Sequence, residues 1–543
     1  MTRLALCCFF ATPLWLGCVS LAAQVHEHGP ASAERLGRVK FPVSCNAGAT
    51  ERFDRAVALL HSFWWQAAER GFGDVAAADS TCAMAYWGLA LTYWRNPIAG
   101  GPGPIDLRAG REAARHAAVL GGRTPRERDY VAAVGALYGD TATIPNSVRL
   151  RRYVDVMEGV YRRNGGDPEA GILFAIALTA AAPAGDTTFA QQQRAAAILN
   201  PLFRAHPEHP GLAHYLIHSN DSPQLAQLGL EAARRYAEIA PTAPHAQHMP
   251  SHIFVRLGLW DETVRSNRAS YRAALGEGGG GGGRALSADQ LHAMDYMVYA
   301  YLQGGQDTAA AAVAAEAQAD AAAAPAQALV AAYNRNAMPA RLALERGRWA
   351  VAARLPVRPS RDAPAADMVT RFARGIGAAR SGDTTQARAE IAALDSIAAE
   401  LARRGDPYWP RVTHIKRDAI GAWLALAAGD TAAALLRAHA AADSEDIVGK
   451  HAVTPGEVLP ARELEADMLL AVGRHAAARL GYEHVLTLEP RRARSVFGAA
   501  RAAALAGDGA TARARYDEFL KLMERADGDR PELQVARAFV ASR

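Results

Sequence analysis

The sequence predicts an all-α fold: a solenoid of helical hairpins, wound as a right-handed superhelix around a concave inner groove. Three observations carry that prediction. Half of the residues are hydrophobic but only 7% are aromatic, and Ala, Leu, Arg and Glu, all good helix formers, make up much of the chain. At 543 residues the chain exceeds one ordinary domain, so it has several domains or is a repeat array. The C-terminal part then repeats itself. Gly473 and Gly507 are 34 residues apart, as are Ala478 and Ala512.

In chain order, the first element is residues 1–23, which read as a secretory signal peptide. Arg3 supplies the basic end, Leu4 to Val19 the apolar run, and Ser20, Ala22 and Ala23 the small residues for cleavage. The run is short and carries Pro13, which argues against a spanning helix, and no later apolar run is long enough to span a bilayer. The expected location is therefore periplasmic or secreted. A lipoprotein anchor at Cys18 is the alternative, although Trp15 suits it poorly. Residues 24–48 form an N-terminal extension. Cleavage after Ala23 leaves His26 third from a free amine, an arrangement that can wrap Cu(II) or Ni(II). A plain polar tail is the simpler reading. Cys45 and Cys82 are the two cysteines outside the signal, an even number in an exported chain, and are expected to form a disulfide.

An N-terminal array is expected over 49–275 and a C-terminal array over 287–543, about eight to ten units in all. "FWWQAAERGFGDVAAADS" supplies Ala68, Phe72 and Val75 of a second helix, and "CAMAYWGLALTYW" the first helix that follows. Later units turn at Gly258, Gly305, Gly347, Gly382 and Gly429. Gly suits a turn because it takes the left-handed cap without strain. Residues 100–170 fit the period badly and read as longer connections. The run "GEGGGGGG" makes 276–286 a flexible loop between the arrays. Each hairpin leaves an apolar face open, and stacking neighbours close it into one continuous core.

This grammar resembles the tetratricopeptide repeat superfamily. A narrower resemblance, to a group of exported bacterial tetratricopeptide proteins, rests on "FPVSCNAGATERFDRAVALLHSFWWQAAERGF", "CAMAYWGLALTYWRNP", "HPGLAHYLIHSND", "HAQHMPSHIFVRLGLWDE" and "MPARLALERGRW". These phrases span about 40–350. The resemblance implies an all-helical repeat fold, export, and an inner wall that holds peptide ligands. It implies no activity and no catalytic residue.

On that register, with Gly258 as the turn, His245, His248 and His252 take places on the first helix that face the inner wall. One repeat earlier, His214 and His218 precede His248 and His252 by 34 residues each. His214 and His218 are also i and i+4 and share a helix face. His292, Asp295 and Tyr299 continue the ladder on the next first helix. His206, His209 and Asp221 lie close by in sequence. Two imidazoles on adjacent turns plus a third group suit a divalent metal. The expected ligands are His214, His218, His248 and His252, and the expected ion is Zn, Cu or Fe. Asp221, His245, His292, Asp295 and Tyr299 are then supporting or groove residues. Pro250 should kink or restart the helix, which makes the His248 and His252 pair less secure than His214 and His218. The competing reading is that these histidines are satisfied by backbone, Tyr215 or water.

Trp87, Trp94 and Arg95 also fall on the groove register, though Trp is often a core residue. The net charge of +5 and the lack of dense Lys/Arg runs exclude a strong case for nucleic acid. No HExxH, phosphate loop, CxxC or readable Ser-His-Asp set is present. The expected function is a binding scaffold that holds a protein or peptide in its groove, with a divalent metal as an added element. The alternative is a metal-dependent enzyme with Asp295 as supporting residue or general base.

Overall fold

Alternating first and second helices build the chain, each pair leaving a tight turn. The computed structural model describes residues 34–183, 185–276, 286–319 and 328–542. The expected signal, Cys18, His26 and most of the Gly-rich loop lie outside the described residues. Residues 35–543 form one compact unit.

The first hairpins are α1 (Ala47–His61) with α2 (Trp65–Ala78), α3 (Ala83–Trp94) with α4 (Pro104–Leu120), and α5 (Pro125–Tyr138) with α6 (Asn146–Arg163). Then come α7 (Pro168–Ala180) with α8 (Ala190–Ala205) and α9 (Pro210–Asn220) with α10 (Ala226–Ile239). The next first helix is broken into α11 (Pro244–His248) and α12 (Pro250–Arg256), and it pairs with α13 (Trp260–Gly276). The later pairs are α14 (Ala288–Gln303) with α15 (Asp307–Ala319), α16 (Ala328–Glu345) with the short α17 (Trp349–Ala352), and α18 (Pro364–Arg380) with α19 (Thr384–Arg403). They continue as α20 (Trp409–Ala427) with α21 (Thr431–Val448), α22 (Ala461–Ala471) with α23 (His475–Leu488), and α24 (Ala493–Leu505) with α25 (Gly509–Leu522); α26 (Pro531–Ala541) ends the stack on α25.

The described residues thus form twelve hairpins, more than the eight to ten expected. The difference arises in residues 100–170, where α4, α5 and α6 replace the expected connections. Local capping starts these helices: Thr124 and Glu127 make a reciprocal capping box on α5, and Pro104 opens α4. The Glu127 carboxylate also accepts from Ser44 N, at 2.6 Å, next to Cys45. Cys45 is joined to Cys82 by a disulfide with Cα atoms 5.2 Å apart.

First helices pack on first helices along the stack, as α1 on α3, α3 on α5, α7 on α9, α14 on α16 and α18 on α20. The turn glycines named above all have positive φ, from +59° at Gly347 to +86° at Gly382. Small residues let the helices approach: a Cβ on Gly88 would lie 2.2 Å from the Phe72 ring, and one on Gly498 would lie 2.5 Å from the Tyr482 ring. All described helices are too short or too polar to cross a membrane.

The inner helices meet across the coil as well as along it. α1 contacts α9, and α14 contacts α24. As a result α9 is buried on every face, from Pro210 to Asn220, and α7 is buried from Glu169 to Leu178. A helix apolar all round belongs in an interior, and α7 reads that way. A non-helical segment, 449–460, leaves α21 and reaches back to α14 and α16. Arg341 on α16 holds it through Thr454 Oγ1 (2.7 Å) and the Gly456 carbonyl (3.0 Å).

Candidate metal centre

Pro210 opens α9 at a position where its missing N–H is not needed, and His214 and His218 follow on one face. Their ring centroids are 4.7 Å apart. Pro250 restarts the next first helix, as expected, but Met249 at the joint keeps helical angles (φ −53°, ψ −36°). His248 and His252 therefore stay on one face, and their Nε2 atoms approach to 3.1 Å. The break does not separate this pair.

Two groups of three imidazoles result. In each group every residue offers one ring nitrogen, and these nitrogens lie within 4.8 Å of one another. The first is His214, His218 and His245; the second is His248, His252 and His292. His245 and His292, expected only as supporting residues, stand with the ligand candidates. The groups are neighbours, with centroids 6.1 Å apart from His245 to His248 and 6.3 Å from His218 to His252. His214, His218, His248 and His252 are buried, whereas His245 and His292 are partly exposed.

Three of the six rings have their far nitrogen held by an oxygen. His214 Nδ1 donates to the His61 carbonyl (2.6 Å), one of the carbonyls that the end of α1 leaves without a helical partner. His248 Nδ1 donates to Asn267 Oδ1 (2.6 Å), whose amide nitrogen is in turn held by the Thr263 carbonyl. His252 Nδ1 donates to Asp221 Oδ2 (2.8 Å). His292 Nδ1 lies 3.3 Å from the Asn334 amide nitrogen, while the amide oxygen has no partner. The same amide nitrogen donates to the Val330 carbonyl (2.7 Å), so His292 Nδ1 faces a donor, unlike the other three rings. Fixing Nδ1–H as in those three leaves Nε2 as the lone pair and is how metal-binding histidines are oriented.

Burial lowers the pKa of all six rings. For His218 it falls to about 3, and for His252 burial outweighs the opposing pull of Asp221. The rings are neutral at pH 7. His248 and His252 thus point two lone pairs at each other across 3.1 Å, with one Tyr296 hydroxyl (3.3 Å from His252 Nε2) shared with the Thr454 carbonyl. His218 Nε2 is buried without any hydrogen-bond partner. Two imidazoles at 2.0–2.1 Å from one ion are about 2.9 Å apart in octahedral and about 3.4 Å apart in tetrahedral geometry, and the observed gap falls between these values.

Asp221 lies against the His252 ring. Burial pushes its carboxyl up, and Lys450, Arg256 and His252 together outweigh this and hold it well below the usual range. A third group lies behind the first. Glu169 accepts from His61 Nε2 (2.9 Å) and His209 Nε2 (3.0 Å), while His61 Nδ1 pairs with the Tyr215 hydroxyl. Both Glu169 oxygens are occupied by these imidazoles, so the group braces α1 against α9.

Other expected groove residues are placed elsewhere. Asp295 is fully buried and paired with Arg341 through both oxygens (2.8 and 3.1 Å), which leaves it no freedom to act as base at the histidines. Tyr299 donates to Glu489 (3.0 Å). Trp87 packs against Phe41, Phe53 and Tyr130, and Trp94 against Tyr153, so both are core. Arg95 pairs with Asp106 (2.6 Å). His206 is exposed. An apolar aromatic residue beside the histidines is Phe63, whose ring lies 4.4 Å from His214 and 5.3 Å from His245. Phe63, His61, Glu169, Asn267 and Tyr296 carried no spacing that pointed to the site, except that Tyr296 is four residues after His292 on α14.

No family model matches the chain, and comparison with curated proteins finds no relative. Among solved structures it is similar to a human IFIT1 dimer with m7Gppp-AAAA, at 11% identity over 81% of this chain and 90% of that one, with a TM-score of 0.39. It is also similar to yeast Tom70, at 12% identity over 91% of this chain and 95% of that one, with a TM-score of 0.29. These likenesses are distant. The hairpin stack itself, with first helices on first helices and glycine at the turns, is what makes this a helical-hairpin repeat solenoid.

Proposed function

We propose that this chain is an exported helical-repeat metalloprotein that holds two transition-metal ions side by side. One ion sits on His214, His218 and His245, and the other on His248, His252 and His292. The single observation that supports this best is the facing pair of neutral Nε2 atoms of His248 and His252, both oriented by oxygens on Nδ1. Such a pair repels itself without a cation and suits one with it. Three protein ligands per ion also leave a position open for a small ligand. The Cys45–Cys82 disulfide supports export to an oxidising compartment. Metal analysis of untagged, full-length protein tests the reading. Two ions per chain are expected, with at least one lost in the His248→Ala, His252→Ala double variant. Protein that binds no stoichiometric metal after exposure to Zn, Cu and Fe salts refutes it.

A second reading, a scaffold for a protein or peptide, is supported by the solenoid fold in general and by a separate cleft. That cleft, of about 400 Å³, is lined by Trp349, Arg380, Asp467, Arg494, Phe497 and Arg501, among others. Site-specific crosslinking from position 501 tests it. A discrete adduct lost in Trp349→Ala supports a partner there, and its absence removes this reading.

A further inference from the structure

From the donor set, charge and spacing of the two three-histidine groups, we infer that they take a pair of copper ions, and that the reduced pair binds dioxygen between them. The inference rests on the two-site reading above and names the ion and the small ligand.

The donors come first. Each group is imidazole only, with no carboxylate or thiolate among the converging atoms. That set suits Cu, Zn, Fe and Ni, and disfavours Mg, Ca and Mn, which want oxygen. Charge then separates the candidates. Among the described residues, the only carboxylate directly bonded to the six rings is Asp221, which accepts from His252 and is already shared with Arg256 (2.9 Å) and Lys450 (3.5 Å). Two divalent ions would bring four positive charges into a buried site whose carboxylate, Asp221, is already matched by Arg256 and Lys450. Unmatched buried charge is strongly unfavourable. Two Cu(I) ions bring half as much.

The same reasoning says what must happen on oxidation. Raising both coppers to Cu(II) adds two positive charges, so an anion has to arrive with them. Dioxygen supplies it in one step: 2 Cu(I) + O2 gives 2 Cu(II) + O2²⁻. Each copper loses one electron, dioxygen gains both, its double bond becomes a single bond, and no proton moves. The two added positive charges are balanced by the dianion they produce.

Position allows one small molecule to meet both ions. The groups are 6.1 and 6.3 Å apart at their nearest ring centroids. His245 and His292 are the partly exposed member of each group, so solvent reaches the centre on their side. Phe63 lies against His214, His218 and His245 and closes the first group with an apolar ring.

The test uses the untagged full chain, stripped of metal and reloaded with Cu(I) under anaerobic conditions, alone and with equimolar Zn(II). The expected result is two coppers per chain, retained against zinc. Admitting air then consumes one O2 per two coppers and gives a Cu(II) pair whose coupled spins show no ordinary electron paramagnetic resonance signal. In His245→Ala and His292→Ala, one copper remains, its Cu(II) signal appears, and the one-to-two uptake is lost. Far-UV circular dichroism shows whether these variants fold, and if either does not, the other carries the test. Two bound ions with zinc displacing copper, or a copper pair that consumes no O2, overturns this inference and leaves the two-site reading standing. A chain that binds no metal ends both.

Discussion

Replacing Arg341 with Met should destabilise the junction between α16, α14 and the 449–460 segment by about 3–5 kcal/mol at pH 7. Arg341 and Asp295 are both fully buried and make a two-bond pair at 2.8 and 3.1 Å. Arg341 also donates to Thr454 Oγ1, the Gly456 carbonyl and the Glu457 carbonyl. Removing the guanidinium strands the Asp295 carboxylate in an interior that already raises its pKa through burial, even with Arg341 opposing. The stranded group escapes by taking a proton. From an ordinary carboxylate value, that costs about 4 kcal/mol at pH 7 and about 2 kcal/mol at pH 5.5. The penalty in Arg341→Met should therefore shrink by about 2 kcal/mol between those pH values, with the lost bonds to the segment adding about 1 kcal/mol in all. Adding Asp295→Asn should recover about half the loss at pH 7. Urea unfolding gives the magnitude, and amide exchange in α14 and around Thr454 shows where it acts. A loss under about 1 kcal/mol at pH 7, or no recovery in the double variant, would refute the reasoning.

Metal-free protein should lose stability in acid. The folded pKa values of His214, His218, His245, His248 and His292 lie below 6.5, so the unfolded chain binds more protons; stability is full above pH 6.5 and falls below it, in the case of His218 down to about pH 3. The slope is up to about 1.4 kcal/mol per pH unit per ring, and a flat urea midpoint between pH 7 and 5 contradicts it. Asp221→Asn should weaken metal binding by about 10–100-fold in a competitive chelator titration, because Asp221 orients His252; unchanged affinity denies Asp221 that role. Reducing the Cys45–Cys82 disulfide, which spans 37 residues, should remove about 4 kcal/mol locally in the chain-entropy view, measured as faster amide exchange in α1 and α3. Equal exchange rates in oxidised and reduced protein count against that figure.

Much of the fold was legible because it is written in local signs. Turn glycines such as Gly382 and Gly429 announce a left-handed cap, and the small-against-large contact of Gly88 with Phe72 sits where a hairpin repeat puts it. Residues 100–170 hid three helices because their caps, Thr124 with Glu127 among them, do not fall on the 34-residue spacing. The histidine groups were legible for the same reason as the repeat: His214 and His218 recur one period later as His248 and His252. Trp87 and Asp295 fell on the same register yet face other partners. A register position sets which side of a helix a residue occupies, not what lies opposite it.

The sequence by itself determined that this is a helical hairpin stack and that successive first helices carry imidazoles at matching places, since both follow from periodicity along one chain. Tertiary structure alone decided that His245 and His292 complete two groups of three, that Phe63 and the His61 carbonyl close one of them, and that Asp295 serves Arg341 instead. The physical reason is the contact of α1 with α9 and the return of the 449–460 segment to α14. Those meetings join residues more than a hundred positions apart, and no local pattern encodes which surfaces the coil brings together.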